Sequence, residues 1–417
     1  MKVLHLGLYD RHGGACIAAY RQHQALLREG VDSQMWVRFK TTADSSVHAY
    51  TPSPEPFVRI RRIFQRHFFH AQHRHFVKRG VFLDDRSEDG GAELVQMPKA
   101  DVINLQSFWN FVHLPAILEA IPPSVPVVVT MHEMAPFTGG CDYAGDCSRF
   151  HEQCGNCPLM GGRQENDLSR RSWNRKQRVF HSRPAGKICF VADSHWLAAA
   201  AQKSGLLSGL PVSVIHYGLD TEVFRPLDRS FARTALGIPA GAKVLSFAAS
   251  FVNDARKGMK HLVDAIRLLP QKPFLLMWGN HLPPVLGDIP HRHLGGIHSE
   301  HLAALAYNAS DVFVMPSLEE AFGQTALEAV ACGIPVVAFA AGGIPDIVRH
   351  EVTGLLTPVG NSQLLGEAIQ RILEDQNLRN ELSFQGRRWA LQHFSMANNA
   401  SQYLKLYHSL LDETASK

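Results

Sequence analysis

Two glutamates in the passage Pro316–Gly354, PSLEEAFGQTALEAVACGIPVVAFAAGGIPDIVRHEVTG, are of a type and spacing that could recognise a polyol. Glu320 and Glu328 lie eight positions apart. On one continuous helix they would stand roughly 80° out of register. Gly323 between them predicts a loop that gives way to a helix near Thr325. Glu320 then belongs to the loop and Glu328 to the first helical turn, both near the carboxyl end of a strand at Asp311–Met315. An ionised carboxylate accepts two hydrogen bonds from vicinal hydroxyls, so carboxylates placed there suit a sugar. Glu328 also has a purely structural use, because Thr325-Ala-Leu-Glu328 has the pattern of a capping box. Glu320 has none.

A second constellation is sulfur. Cys141, Cys147, Cys154 and Cys157 fall within 17 residues, in GGCDYAGDCSRFHEQCGNCPLMGG, with spacing C-x5-C-x6-C-x2-C. Four thiolates in a short glycine-rich loop can close a tetrahedral zinc site without a large core beneath them. Iron–sulfur ligation and two disulfides are the alternatives, disulfides being disfavoured where thiols stay reduced. Cys16, Cys189 and Cys332 lie singly in apolar surroundings and read as core thiols. A third feature is Gly13-Gly14, between a strand at Lys2–Leu8 and a helical pattern from about Ala15 to Arg28. Loop and helix-start amides in such a unit point at phosphates, and a simple tight turn is the plainer alternative.

These residues need a frame. A chain of 417 residues, 45% hydrophobic and 19% charged, is long enough for two or three domains with their own cores and is not a largely disordered chain. No run approaches the roughly 18 apolar residues that a bilayer helix requires. The opening MKVLHLGLYD is too short an apolar run for a signal peptide and lacks a small-residue cleavage site, so the expectation is a cytoplasmic protein. The net charge of +4 hides a distribution: 25 Lys+Arg against 20 Asp+Glu up to Asp220, then 17 against 18. The excess sits in 163–187 and in 58–80, VRIRRIFQRHFFHAQHRHFVKRG, where basic residues interleave with phenylalanines. Such a stretch suits an anionic membrane surface, here the inner face of the plasma membrane, or a phosphate-bearing acceptor. A solvated helix with its Phe residues facing the core fits equally well, and nucleic acid fits less well without a recognisable binding module.

Short apolar runs at Ala100–Leu105, Val125–Thr130, Lys187–Ala192 and Val212–His216 alternate with helical segments, as βαβ construction requires. A Pro/Asp-rich passage, Asp220–Asp228, reads as a linker. A second series follows at Lys243–Ala248, Phe274–Trp278, Asp311–Met315 and Pro335–Phe339. The fold class expected is α/β: two Rossmann-like, doubly wound domains facing across a cleft, with ligands beyond the strand carboxyl ends. Boundaries are placed at 1–222, including the four-Cys loop 139–162, at 223–394, and at a C-terminal helix, 395–417, returning to the first domain.

The block Glu320-x7-Glu328, Ala329-Val-Ala-Cys-Gly-Ile-Pro-Val-Val and Gly342-Gly-Ile-Pro-Asp resembles the signature of glycosyltransferase family 4, the retaining enzymes of GT-B fold. His12-Gly-Gly-Ala, Thr130-Met-His-Glu133, Ser194-His-Trp-Leu, Ile215-His-Tyr-Gly-Leu-Asp220, Arg256-Lys-Gly258 and Gly295-Gly-Ile297 follow the family in the same order over most of the chain. The four-Cys loop after His132 resembles the branch that builds exopolysaccharide and O-antigen, including colanic-acid-type transferases. The resemblance implies a nucleotide-diphosphate sugar as donor and a hydroxyl of a glycan or lipid-linked acceptor. It implies that Glu320 holds donor-sugar hydroxyls, with Ala321, Phe322 and Gly323 adding backbone contacts, and that Glu328 binds the ribose. Arg256 and Lys257 would clamp the diphosphate, facing the Gly13 and Gly14 amides, and Gly295–Ile297 would border the base. His132 would sit at the reacting sugar, with Glu133 in support. The family's Arg five residues before the Lys is replaced here by Val252, and Arg256 stands in for it.

No metal is needed for catalysis if fixed cations and amides stabilise the leaving phosphate, and the sequence holds no Asp-x-Asp to bind one. Two other functions compete: a GT-B-like sugar-nucleotide epimerase or phosphorylase, and a zinc-containing nucleic-acid-binding protein. The second leaves the glutamate block unexplained.

Overall fold

A computed structural model describes residues 1–51, 55–57, 59, 60, 63, 64, 67, 82–87, 97–109, 111–281 and 286–412. The chain divides into two compact units, residues 1–216 with 399 onward, and residues 217–398.

The first unit is built on a seven-stranded sheet: β1 (Lys2–Tyr9), β2 (Asp32–Phe39), β3 (Val47–Ala49), β4 (Val102–Leu105), β5 (Val127–Met131), β6 (Ile188–Ala192) and β7 (Val212–Val214). Its order is β3-β2-β1-β4-β5-β6-β7, and every adjacent pair is parallel. Strands buried on both faces read as unbroken apolar runs, and β5, VVVTM, is buried at every position. Helices Gly14–Arg28, Leu114–Ala120, Leu168–His181 and His195–Gln202 supply the crossovers. Residues from 399 onward, most of the helix Met396–Asp412, pack into this unit through Tyr403 and Tyr407, both buried and one helical turn apart.

The second unit has a six-stranded sheet: β8 (Val244–Phe251), β9 (Phe274–Asn280), β10 (His291–His293), β11 (Val312–Met315), β12 (Val336–Phe339) and β13 (Gly354–Thr357). The order is β10-β9-β8-β11-β12-β13, again parallel throughout. In both sheets the winding reverses once, between β1 and β4 and between β8 and β11. Loops leaving the two strands at such a point diverge and open a crevice at their carboxyl ends.

The division falls at 216/217 and 398/399 rather than at 222/223 and 394/395. The reason is local. Leu219 already pairs in parallel with Ser395, its N–H donating to Phe394 O (2.8 Å) and its carbonyl accepting from Met396 N (3.2 Å). Most of the stretch 58–80 lies outside the described residues. Where it is described, the chain is helical at 59, 60, 63, 64 and 67. Phe57 just before it and Phe64 within it are 79% and 71% exposed, so these two rings do not face the core.

Candidate functional site

The reversal point of the second sheet gathers most of the expected donor residues. After β8 the chain makes a one-turn 3-10 helix, Ala255–Lys257, capped by Asp254, whose carboxylate accepts from Arg256 N and pairs with the Arg256 guanidinium at 3.0 Å. Gly258 follows at φ +72°; a Cβ there would stand 1.8 Å from Pro316 O. Only glycine lets the loop after β8 press against the loop after β11. That contact is sealed by Leu318 N donating to Arg256 O (2.7 Å), and it brings Lys257 Nζ to 2.6 Å from Glu320 Oε2.

Glu320 is fixed through its backbone as well. Its carbonyl accepts from Gly343 N (3.0 Å), and Gly342 lies so close that a Cβ would sit 1.8 Å from that same oxygen. The Gly-Gly of the signature is therefore a backbone seat for Glu320. Phe322 is buried edge-on against Tyr217, ring centroids 4.9 Å apart, and packs on Phe394. Gly323, at φ +108°, is the N-cap of the helix Gln324–Ala331, with no side-chain cap. The capping box at Thr325–Glu328 is thus not formed: the N-cap lies two residues before Thr325, and Glu328 lies beyond the first turn. Glu328 instead accepts from Tyr307 O–H at 2.9 Å. The Gly295–Ile297 loop is tied to the end of β9 by Gly279 N donating to Gly295 O (2.8 Å), and Gly279 itself admits no Cβ against Ala249 O.

In the first unit, Gly13 (φ +82°) caps the helix Gly14–Arg28 at the end of β1, with both glycines exposed. The preceding Asp10 is buried. Burial alone would raise its pKa, but hydrogen bonds from Thr41 and Thr42 outweigh that and hold the carboxyl below its usual range. His132 follows β5 and is buried, which pushes its pKa down to about 3, so the ring is neutral. Its Nε2 lies 2.9 Å from Gln106 Oε1, and since an amide oxygen only accepts, Nε2 carries the proton and Nδ1 is the accepting nitrogen.

Gln106 is oriented in turn. Its Nε2 donates to Gln22 Oε1 (2.7 Å) and to His5 Nδ1 (3.2 Å), and Gln22 donates to Tyr407 O–H (3.1 Å). Tyr407 also accepts from Asn104, whose Oδ1 accepts from Thr130, and Thr130 meets Tyr403 O–H. This buried polar network runs from the C-terminal helix to His132 and was not signalled by the sequence. Glu133 points elsewhere: it accepts from Trp109 Nε1, and burial raises its pKa to about 7. The four loop cysteines are all free thiols and line one cavity.

A two-unit, all-parallel α/β fold with a carboxylate, a cation and glycine-bounded loops at the reversal point of the second sheet defines a class of nucleotide-sugar-type folds, and comparison with known proteins agrees. The family described as glycosyl transferases group 1 matches residues 286–389, the span that carries Gly295, Ile297, Glu320, Phe322, Gly323 and Glu328. D-inositol 3-phosphate glycosyltransferase of Mycolicibacterium vanbaalenii is 35% identical over 377 residues, 82% of this chain and 74% of that protein. The chain belongs to the group 1 glycosyl transferases. It spans about half the length, 50% and 46%, of two other relatives of that name, from Saccharomonospora viridis and Mycobacteroides abscessus.

Among solved structures, sucrose-phosphate synthase of Thermosynechococcus elongatus matches with TM-score 0.70 at 22% identity, covering 99% of this chain and 100% of that one. Anabaena HepE in complex with UDP and glucose matches with TM-score 0.67 at 19% identity, covering 98% and 100%. At these identities the likeness is one of fold, and the fold is GT-B. The relatives bear the name D-inositol 3-phosphate glycosyltransferase, which corrects the colanic-acid-type branch expected from the four-Cys loop.

Proposed function

We propose that the chain transfers a glycosyl group from a nucleoside-diphosphate sugar to an acceptor hydroxyl, with retention at the anomeric carbon and no catalytic metal. The observation that carries this reading is the Lys257–Glu320 pair at the reversal point between β8 and β11. A diphosphate draws Lys257, with Arg256 beside it, while the donor sugar's hydroxyls replace Lys257 on Glu320. Tyr307 holds Glu328 for the ribose hydroxyls, and the loop at Gly295–Ile297 borders the base. Gly13 and Gly14 set a helix N-terminus toward phosphate, and His132 meets the sugar as a neutral ring.

In the transfer, the acceptor oxygen bonds to the anomeric carbon as the bond to the β-phosphate oxygen breaks. The departing phosphate takes the acceptor's proton, leaving glycoside and nucleoside diphosphate. Negative charge grows on that phosphate, and Lys257 strengthens its hold as it does so, which is the kind of interaction that lowers a barrier.

For the acceptor, the relatives' name, inositol 3-phosphate, and the basic first unit both favour a phosphate-bearing polyol or a phosphate-linked lipid glycan, the latter in polysaccharide assembly. The exposed Phe57, Ile60, Ile63 and Phe64 beside Arg59 support contact with an anionic membrane.

The test is thermal stabilisation by UDP-, GDP- and ADP-sugars. A donor at 100 times its Kd should add about 2.7 kcal/mol. Lys257→Ala should lose most of that shift. No shift with any nucleoside-diphosphate sugar, or an unchanged shift in the variant, overturns the reading.

A further inference from the structure

From Met134 to Asp167 the regular helical structure is limited to three single-turn 3-10 helices, Ala135–Phe137, Arg149–His151 and Pro158–Met160. A long irregular stretch inside a compact unit needs something to hold it. Within it, Cys141, Cys147, Cys154 and Cys157 line a single cavity of about 20 Å³; no three of their sulfurs stand within 4.8 Å of one another, so an ion there would draw them together.

We propose that these four cysteines bind one structural Zn²⁺ as a tetrathiolate, fastening the loop that follows His132.

Four features of the chain converge on the sulfurs. Backbone N–H groups are directed at them: Gly139 N donates to Cys154 Sγ at 3.1 Å, and the amides of Leu159 and Met160 face Cys157. Donors aimed at sulfur compensate thiolate far better than thiol. Glycines let the loop close on the cavity. A Cβ on Gly139 would stand 2.9 Å from Cys154 Cβ, and one on Gly155, at φ +142°, 2.4 Å from Glu165 O.

A buried cation lies beneath. Lys176 is fully buried, its ammonium donating to Ala135 O (2.7 Å) and Thr138 O (3.0 Å), and it interacts electrostatically with Asp85 first, then with Cys154, Cys141 and Asp84. Neutral thiols add nothing to the counter-charge that Asp85 and Asp84 supply, whereas a zinc tetrathiolate, net −2, adds to it. The turn Cys154–Cys157 is itself held, by Asp167 Oδ2 accepting from Cys157 N at 2.7 Å. An all-sulfur donor set selects zinc over magnesium or calcium, and binding releases four thiol protons.

The experiment is elemental analysis of the full chain purified with reductant and without chelator. About one zinc per chain is expected, as for a closed four-ligand site. Cys154→Ser and Cys157→Ser should each lose the metal and lower the melting temperature, while Cys189→Ser, in β6, should keep it. Should the serine variants fail to fold, zinc released from the unfolded wild-type chain and counted with a chromogenic chelator gives the same stoichiometry. Iron in place of zinc, a metal-free chain, or two disulfides by mass would overturn the proposal. None of these readouts involves glycosyl transfer, so failure here is distinct from failure of the proposed activity.

Discussion

Glu320 and Lys257 form an ion pair whose side chains are 13% and 28% exposed. A partly exposed pair of this kind contributes only ~0.2–1 kcal/mol to stability. Its cost to break is small, which is what a site needs if phosphate is to take one partner and a hydroxyl the other. Glu320→Ala and Lys257→Ala should therefore leave unfolding free energies within about 1 kcal/mol of the parent while lowering transfer by about 10²-fold or more. Denaturant titration beside initial rates checks both halves, and full activity in Glu320→Ala would remove it from the donor site. Tyr307 tests the second glutamate. It is fully buried, so Tyr307→Phe keeps its shape and removes only the hydroxyl that orients Glu328. Hydrogen bonds to charged groups are worth ~1.5–3 kcal/mol, so donor KM should rise by roughly tenfold or more with kcat nearly unchanged.

The elements that hold these residues are legible in the sequence to unequal degrees. β5, β6, β11 and the first six residues of β8 are buried on both faces and appear as largely apolar runs. β2 (DSQMWVRF) mixes polar residues into its run, β10 (HRH) is a short exposed edge, and β13 (GLLT) opens on glycine, so none of the three stands out. The types and order of the donor residues are legible because the signature is local. Their pairing is not, since Lys257 and Glu320 are 63 residues apart. Least legible is the polar network, whose members Gln22, Asn104, Gln106 and Tyr407 come from separate elements and look like misfits in apolar surroundings. It explains why the last helix belongs to the first unit. Gln106→Leu should cost stability, because it removes the donor to Gln22 Oε1 and the acceptor of His132 Nε2, at about 1–3 kcal/mol for each buried group. It should also lower kcat more than it raises KM, since His132 loses the partner that fixes its tautomer. Gln106→Glu, which retains an acceptor for His132 Nε2, should recover part of kcat; a loss of stability with unchanged kinetics would reduce Gln106 to a packing role.

Across the whole molecule, the buried ionisable groups are divided unevenly between the two units, and this makes acid act on one of them first. His5, His23 and His132 are all in the first unit, and burial lowers each pKa, to about 4 for His23 and about 3 for His132. His113 shifts the same way. A histidine buried neutral contributes stability that is fully present above its unfolded pKa of about 6.5 and is lost as pH falls toward the folded value. Glu133 runs oppositely: raised to about 7, it contributes stability below its unfolded pKa that is lost as pH rises through the folded one. Below pH 6.5 the three histidines outweigh that single carboxyl, so the first unit should lose up to ~2.7 kcal/mol per pH unit. Against a typical ~5–15 kcal/mol for a domain, a loss of that order over about two pH units removes most of the stability of a domain at the lower end of the range. None of the second unit's histidines is buried, and its transition should move less over the same range. Calorimetry from pH 7.5 to 5 should show one melting transition descending away from the other. His23→Gln, which keeps polar contacts to Ser33 and Ser46 within reach, should flatten the descent by about 1.4 kcal/mol per pH unit. Two transitions falling in parallel, or an unchanged slope in that variant, would show that the histidines of the first unit do not govern its acid stability.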